Sequence, residues 1–100
     1  MSLAISEAAR DALEDWLSGL KSLRGASPAT LDAYRRDLVD YLSFMAGHHG
    51  GPQGIAALGQ VTTSDMRAWM ARERGDGLGA RSLARKLSAV RTFYRWLAQR

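Results

Sequence analysis

Gly79-Ala80-Arg81-Ser82-Leu83-Ala84-Arg85-Lys86-Leu87-Ser88-Ala89-Val90-Arg91-Thr92-Phe93-Tyr94-Arg95-Trp96-Leu97 is the stretch on which the reading of the fold turns. Leu83, Leu87, Val90, Phe93, Tyr94 and Leu97 return at three- and four-residue steps, the period of a helix with one buried face. With each residue turned by about 100°, Leu83, Leu87, Val90, Tyr94 and Leu97 fall within about 40° of one direction. Arg81, Arg85, Ser88, Thr92 and Arg95 fall on the opposite side. That outer face sets guanidinium groups among small hydroxyl residues, and a major groove about 12 Å wide admits one such helix. A merely solvated face ordinarily mixes signs, with an acid four residues before a base. From Arg81 to Arg100 there are six basic residues and no acidic one.

Three further helices can be read outward from this one. The first is expected over about 6–23, capped by Ser6 and ended by Gly25, with Ala9, Ala12, Leu13, Trp16, Leu17, Leu20 and Leu23 forming its apolar stripe. The second is expected over about 27–47. Ser27 can cap it, and Pro28 fits the first helical position, where a missing N–H costs nothing. Leu31, Tyr34, Leu38, Tyr41, Leu42 and Met45 line one side, and Gly47 is read as the stop. The third is expected over about 63–74, capped by Thr62 or Thr63, with Asp65 at its positive end and Met66, Trp69 and Met70 inward. The fourth covers about 80–99. Gly47-His48-His49-Gly50-Gly51-Pro52 and the residues on to Gln60 resist both helix and strand, so an exposed, mobile loop is expected there. No segment alternates with a two-residue period, so the expected fold class is all-α, a compact four-helix bundle in a single domain spanning 1–100.

The chain has 100 residues, 46% of them hydrophobic and 24% charged, which suits one soluble folded unit. It has no cysteine, so disulfides and thiolate metal sites are excluded. Met1-Ser2-Leu3-Ala4-Ile5 lacks the basic start and apolar run of a signal peptide, and no stretch is apolar enough for a membrane span, so a cytoplasmic location is expected. Fourteen basic residues against ten acidic ones give a net charge of +4, and twelve of the fourteen are arginine. Arginine's rigid fork suits phosphate and guanine edges. The first half of the chain is nearly balanced in charge; the excess lies in the fourth helix.

Other chemistry finds little support. His48 and His49 are adjacent, so they cannot share a helix face, and no third ligand is expected nearby; neither a metal site nor a cofactor is expected. The glycines break helices and form neither a phosphate-cradling loop nor a nucleophile elbow. Glu14 and Asp15 read as solvent-facing, Trp16 and Trp69 as core, and Trp96 as lying off its helix's main stripe. On the second helix, Ser27, Thr30, Tyr34, Arg35 and Arg36 lie near free backbone N–H groups that favour phosphate. Equally, Ser27 can be only a cap, Tyr34 core, and Arg36 a partner of Asp32 or Asp40.

Ser27-Pro28-Ala29-Thr30-Leu31-Asp32-Ala33-Tyr34-Arg35-Arg36-Asp37-Leu38 resembles the S-x-x-T-x-x-x-Y-x-x-D-L opening of the N-terminal domain of Xer-type tyrosine recombinases, in the phage-integrase superfamily. Gly79 to Leu97 resembles that domain's fourth-helix signature, and Val61-Thr62-Thr63-Ser64-Asp65-Met66 the start of its third helix. The resemblance runs from about Leu13 to Leu97. It implies a SAM-like core-binding domain forming half of a C-shaped clamp on a recombination half-site. Its second and fourth helices would approach the major groove through Thr30, Tyr34, Arg35, Arg81, Ser82, Arg85, Lys86, Ser88 and Arg91, alongside Thr92 and Arg95 of the outer face. Lys86 and Arg91 flank the apolar stripe and so suit phosphate better than base edges. Partners implied are double-stranded DNA and other recombinase subunits in a tetrameric synapse, with chromosome-dimer resolution favoured over mobile-element integration.

The family's tyrosine nucleophile and its Arg, Lys and His partners belong to a separate catalytic domain that this chain does not contain. Tyr34, Tyr41 and Tyr94 are therefore not expected to be nucleophiles. The chain ends about where the interdomain linker would begin, so a fragment that binds DNA and cuts nothing is expected. Two alternatives stand beside this: a stand-alone helical DNA binder, and a protein-interaction bundle whose basic face meets an acidic partner.

Overall fold

The computed structural model describes residues 5–100; the start of the Met1–Ile5 stretch considered above as a leader lies outside the described residues. The chain forms α1 (Glu7–Arg24), α2 (Pro28–His48), α3 (Ile55–Leu58), α4 (Thr63–Gly75) and α5 (Ala80–Gln99), with no strand among the described residues. The four long helices lie where the pattern places them.

Their ends are made by local chemistry. The Ser6 hydroxyl accepts from the Ala9 N–H at 3.1 Å and donates to the Gln53 carbonyl at 2.7 Å, which pins the start of α1 to the distant 50s segment. Gly25 follows α1 at φ +64°, a left-handed conformation in which glycine avoids the strain of a Cβ. Ser27 caps α2 as expected, ahead of Pro28. Thr62, rather than Thr63, caps α4. Its hydroxyl accepts from the Asp65 N–H at 3.1 Å while the Asp65 carboxylate accepts from the Thr62 N–H at 2.9 Å, a reciprocal capping box.

Three readings need correction. Gly47 does not stop α2, which runs on to His48 and is followed by Gly50 at φ +86°. The 47–60 segment is not wholly exposed: Ile55–Leu58 is a helical turn and Leu58 is buried at 1% exposure. One turn cannot be stable alone and is too short to show a helical period, so burial of Leu58 is what holds it. Leu23, assigned to the apolar stripe of α1, is 85% exposed at the rim of a shallow cleft shared with Thr92, Arg95 and Trp96 of α5.

The core is aromatic at its centre. Trp16 of α1 meets the edge of Phe93 of α5 at 5.5 Å, and Tyr41 of α2 meets Trp69 of α4 at 5.1 Å, both near perpendicular. Such edge-to-face pairs add about 0.5–1.5 kcal/mol beyond area burial. Leu13, Leu38, Met45, Leu58 and Val90 fill the space around them. α2 is the central element, packed against α1, α4 and α5.

Candidate nucleic-acid interface

α5 is seated differently from the expectation built on Leu83. Its fully buried residues are Leu83, Ala89, Val90 and Phe93, whereas Leu87, Tyr94 and Leu97 are only half-buried. The buried face is thus turned by roughly 60° toward Phe93 and Ala89. This rotation places Lys86 inward. Its ammonium donates to Asp40 at 3.0 Å and also to Glu73, whose carboxylate is buried. Burial alone would lower the Lys86 pKa, but its hydrogen bonds to Glu73 and Asp40 outweigh it and hold the group charged. Burial likewise works to raise Asp40, and the Lys86 ammonium overrides it, aided by Arg72 at 2.9 Å.

The same rotation sets a row outward. Arg81, Ala84, Ser88, Arg91 and Arg95 are all exposed and spaced by three, four, three and four residues, so they form one stripe along α5. Arg81, Arg91 and Arg95 make no ion pair with any described residue. Beside the stripe, Thr92 is half-buried and donates its hydroxyl to the Ser88 carbonyl at 2.9 Å; Ser82 is half-buried near the start of the helix. Arg85, on the same flank as Thr92, is held by Asp37 of α2 at 2.6 and 3.2 Å.

The α2 candidates are engaged locally. The Thr30 hydroxyl accepts from the Ser27 hydroxyl at 3.0 Å. Tyr34 stacks on Trp16 with centroids 5.7 Å apart, while its hydroxyl has no hydrogen-bond partner among the described residues. Arg35 grips Glu14 of α1 through two nitrogens at 2.8 and 3.1 Å, and that hydrogen bond holds the Glu14 carboxyl below its ordinary value. Arg36 is exposed and pairs with neither Asp32 nor Asp40: Asp32 faces Arg35 at 3.7 Å and Asp40 is taken by Arg72 and Lys86. No hydrogen bond or ion pair joins the Thr30–Arg35 group to the α5 stripe among the described residues.

Tyr41 and Tyr94 share a hydrogen bond at 2.8 Å between α2 and α5. Burial raises both phenols above the ordinary tyrosine value. Residues 13–100 match the model of the phage integrase, N-terminal SAM-like domain.

The chain belongs to the phage integrase N-terminal SAM-like domain family.

Within curated proteins, this SAM-like domain is 43% identical over 96 residues to a tyrosine recombinase XerC of Rhodospirillum centenum, covering 96% of this chain and 28% of that protein. It is 43% identical over 89 residues to the tyrosine recombinase XerC of Brucella suis, covering 89% of this chain and 28% of that one. With the tyrosine recombinase XerC of Xylella fastidiosa it shares 39% identity over 88 residues. The chain therefore spans little more than a quarter of the relatives it matches. No solved structure matches it. No helix among the described residues is long and apolar enough to cross a membrane.

Two features of this SAM-like domain escaped the sequence reading. An apolar groove of about 880 Å³ lies between α4 and α5, floored by Met66, Met70, Leu87 and Val90 and lipped by Arg67, Arg74 and Arg91. The inward turn of Leu87 and Met70 toward a shared groove, rather than into the core, leaves no trace in apolar periodicity. The second feature is at the end of α2, where Asp65 of α4 comes within 3.1 Å of His48 and 3.4 Å of His49. The expectation that no third ligand lies near the two histidines is thereby corrected; Asp65 is distant in sequence, and only the fold brings it there.

Proposed function

We propose that this domain binds one half-site of a recombination sequence in double-stranded DNA, as the N-terminal part of a tyrosine recombinase whose strand breaking and rejoining reside in a separate catalytic domain. The observation that carries this reading is the stripe Arg81, Ser88, Arg91 and Arg95: one-signed, exposed and aligned on a single helix. Three guanidinium groups on one line supply phosphate contacts that position the helix, while Ser88 between them allows close approach to base edges. Arg85 and Thr92 border the stripe and extend it. Lys86 serves the fold, and Thr30, Tyr34 and Arg35 form a second surface at the start of α2. The similarity to proteins named tyrosine recombinase XerC supports the recombinase setting; other subunits in a tetramer on DNA, chromosome-dimer resolution and a cytoplasmic location are the finer parts of the same proposal.

The test is binding of the domain to a duplex carrying a Xer-type half-site and to a scrambled duplex, across a salt series, beside Arg81→Ala/Arg85→Ala and Arg81→Ala/Arg95→Ala. Preferential binding that weakens with salt and with either double substitution is expected. Equal affinity for both duplexes would reduce the domain to a non-specific basic module. Absence of binding even at low salt would favour a protein-interaction bundle instead.

A further inference from the structure

His48 and His49 end α2, and Asp65 sits in the first turn of α4; the fold brings all three to one point. His48 Nε2 lies 3.1 Å from Asp65 Oδ1 and His49 Nε2 lies 3.4 Å from Oδ2, with all three groups' ligand atoms within 4.8 Å of one another. A tetrahedral ion with bonds of about 2.0–2.1 Å to nitrogen and oxygen holds neighbouring ligand atoms roughly 3.3 Å apart. The His48–Oδ1 separation already matches that spacing. His49, which lies nearest the other carboxylate oxygen, has to swing toward Oδ1 and His48, and its ring is about one-third exposed.

We propose that His48, His49 and Asp65 form a binding site for a divalent transition-metal ion of the zinc class, with solvent completing its coordination. Two imidazole nitrogens and one carboxylate oxygen select such ions over magnesium and calcium, which take oxygen ligands. The groups behind the ligands are already in place. The Thr62 N–H holds Asp65 Oδ2 at 2.9 Å, which aims the carboxylate and leaves Oδ1 directed at His48. The His48 ring lies against Phe44, stacked at 5.3 Å and 17°, so its orientation is set by packing. Supports of this kind hold metal ligands in register and affect affinity nearly as much as the ligands do. The ion would staple the last turn of α2 to the first turn of α4 and close into a ring the intervening segment that carries α3 and Leu58.

The experiment uses the full chain without a histidine tag and Co²⁺ as a spectroscopic probe, followed by Zn²⁺ in calorimetry and thermal melting. One Co²⁺ per chain with a visible absorption band, its displacement by Zn²⁺, and a rise in Tm with excess Zn²⁺ but not Mg²⁺ are expected. His49→Ala removes a ligand whose ring meets His48 and Asp65. It should keep the helical circular dichroism spectrum and weaken Zn²⁺ binding at least about tenfold. His48→Gln serves as the second variant should His49→Ala alter folding. No cobalt band at millimolar metal would overturn the proposal. So would undiminished Zn²⁺ affinity in both variants, or an equal response to Mg²⁺.

Discussion

Arg85 of α5 and Asp37 of α2 are joined by two hydrogen bonds, 2.6 and 3.2 Å long, in which the carboxylate is buried and the guanidinium remains half in solvent. The two partners therefore pay unequally for the contact. Burial raises the Asp37 carboxyl by more than Arg85, Lys86 and Arg36 lower it. With its folded value raised, Asp37 favours the native state most at pH below its unfolded value, and that contribution is lost as pH rises through the folded value. At neutral pH it acts as a restraint on Arg85 rather than as a source of stability. Asp37→Asn should therefore change the urea-derived stability by less than about 1 kcal/mol. It should also release Arg85, raising DNA affinity at low salt and steepening the logarithmic salt dependence by about one. Unaltered DNA affinity would show that Arg85 never reaches a phosphate.

Single replacements of Arg91 or Arg95 by alanine touch no buried contact. Each should leave stability within about 0.5 kcal/mol of the parent and reduce the salt slope of DNA binding by about one. Denaturation and fluorescence anisotropy on the same samples separate the two effects.

Lys86→Met should behave in the opposite way. It takes the ammonium from the buried Glu73 carboxylate and leaves Arg72, at 3.0 Å, as its remaining cation, so the loss should approach the low end of the about 3–5 kcal/mol that breaking a buried pair costs. Measured well below its Tm, the variant should retain the parent's salt slope, because Lys86 is turned inward. A lowered slope in a fully folded sample would make it a phosphate contact after all.

Tyr34→Phe keeps the stack on Trp16 and deletes only a hydroxyl that has no partner among the described residues. Stability within about 0.5 kcal/mol of the parent is expected. A several-fold loss of DNA affinity would assign the hydroxyl to the duplex; equal affinity would make Tyr34 purely a core residue.

Acid should unfold the domain through three carboxylates held below their ordinary values. Glu14 is lowered by its hydrogen bond from Arg35, and Asp65 by the Thr62 N–H. In Asp40, burial is opposed and overcome by Lys86. Depressed values give stability that is complete above the unfolded carboxylate value, about 4, and lost as pH falls through the folded values. The urea midpoint should decline below about pH 4, and Asp40→Asn should flatten that decline.

The long helices were legible because their signals are local: Ser27 before Pro28, Thr62 three residues before Asp65, and apolar steps of three and four. The seating of α5 was not. A wheel drawn from apolar residues leaves Lys86 on the flank of the buried stripe, yet Asp40 and Glu73, on two other helices, supply the charge that lets it turn in. Arg81 and Arg95 face outward as the wheel placed them, Arg91 joins them from the flank, and Arg85 is drawn to Asp37. Leu58 was missed because one turn carries no period, and the His48–His49–Asp65 cluster because its members meet only after α2 and α4 have packed.

Three side-chain contacts tie α2 to α5: Asp37 to Arg85, Asp40 to Lys86, and Tyr41 to Tyr94. Of the residues making them, Arg85 alone borders the outward stripe. Positions occupied by Arg81, Ala84, Ser88, Arg91 and Arg95 are consequently free to drift without loosening the bundle. A library randomised at those five positions should yield folded members at high frequency, so lineages sharing this scaffold can change that surface without redesigning the core beneath it.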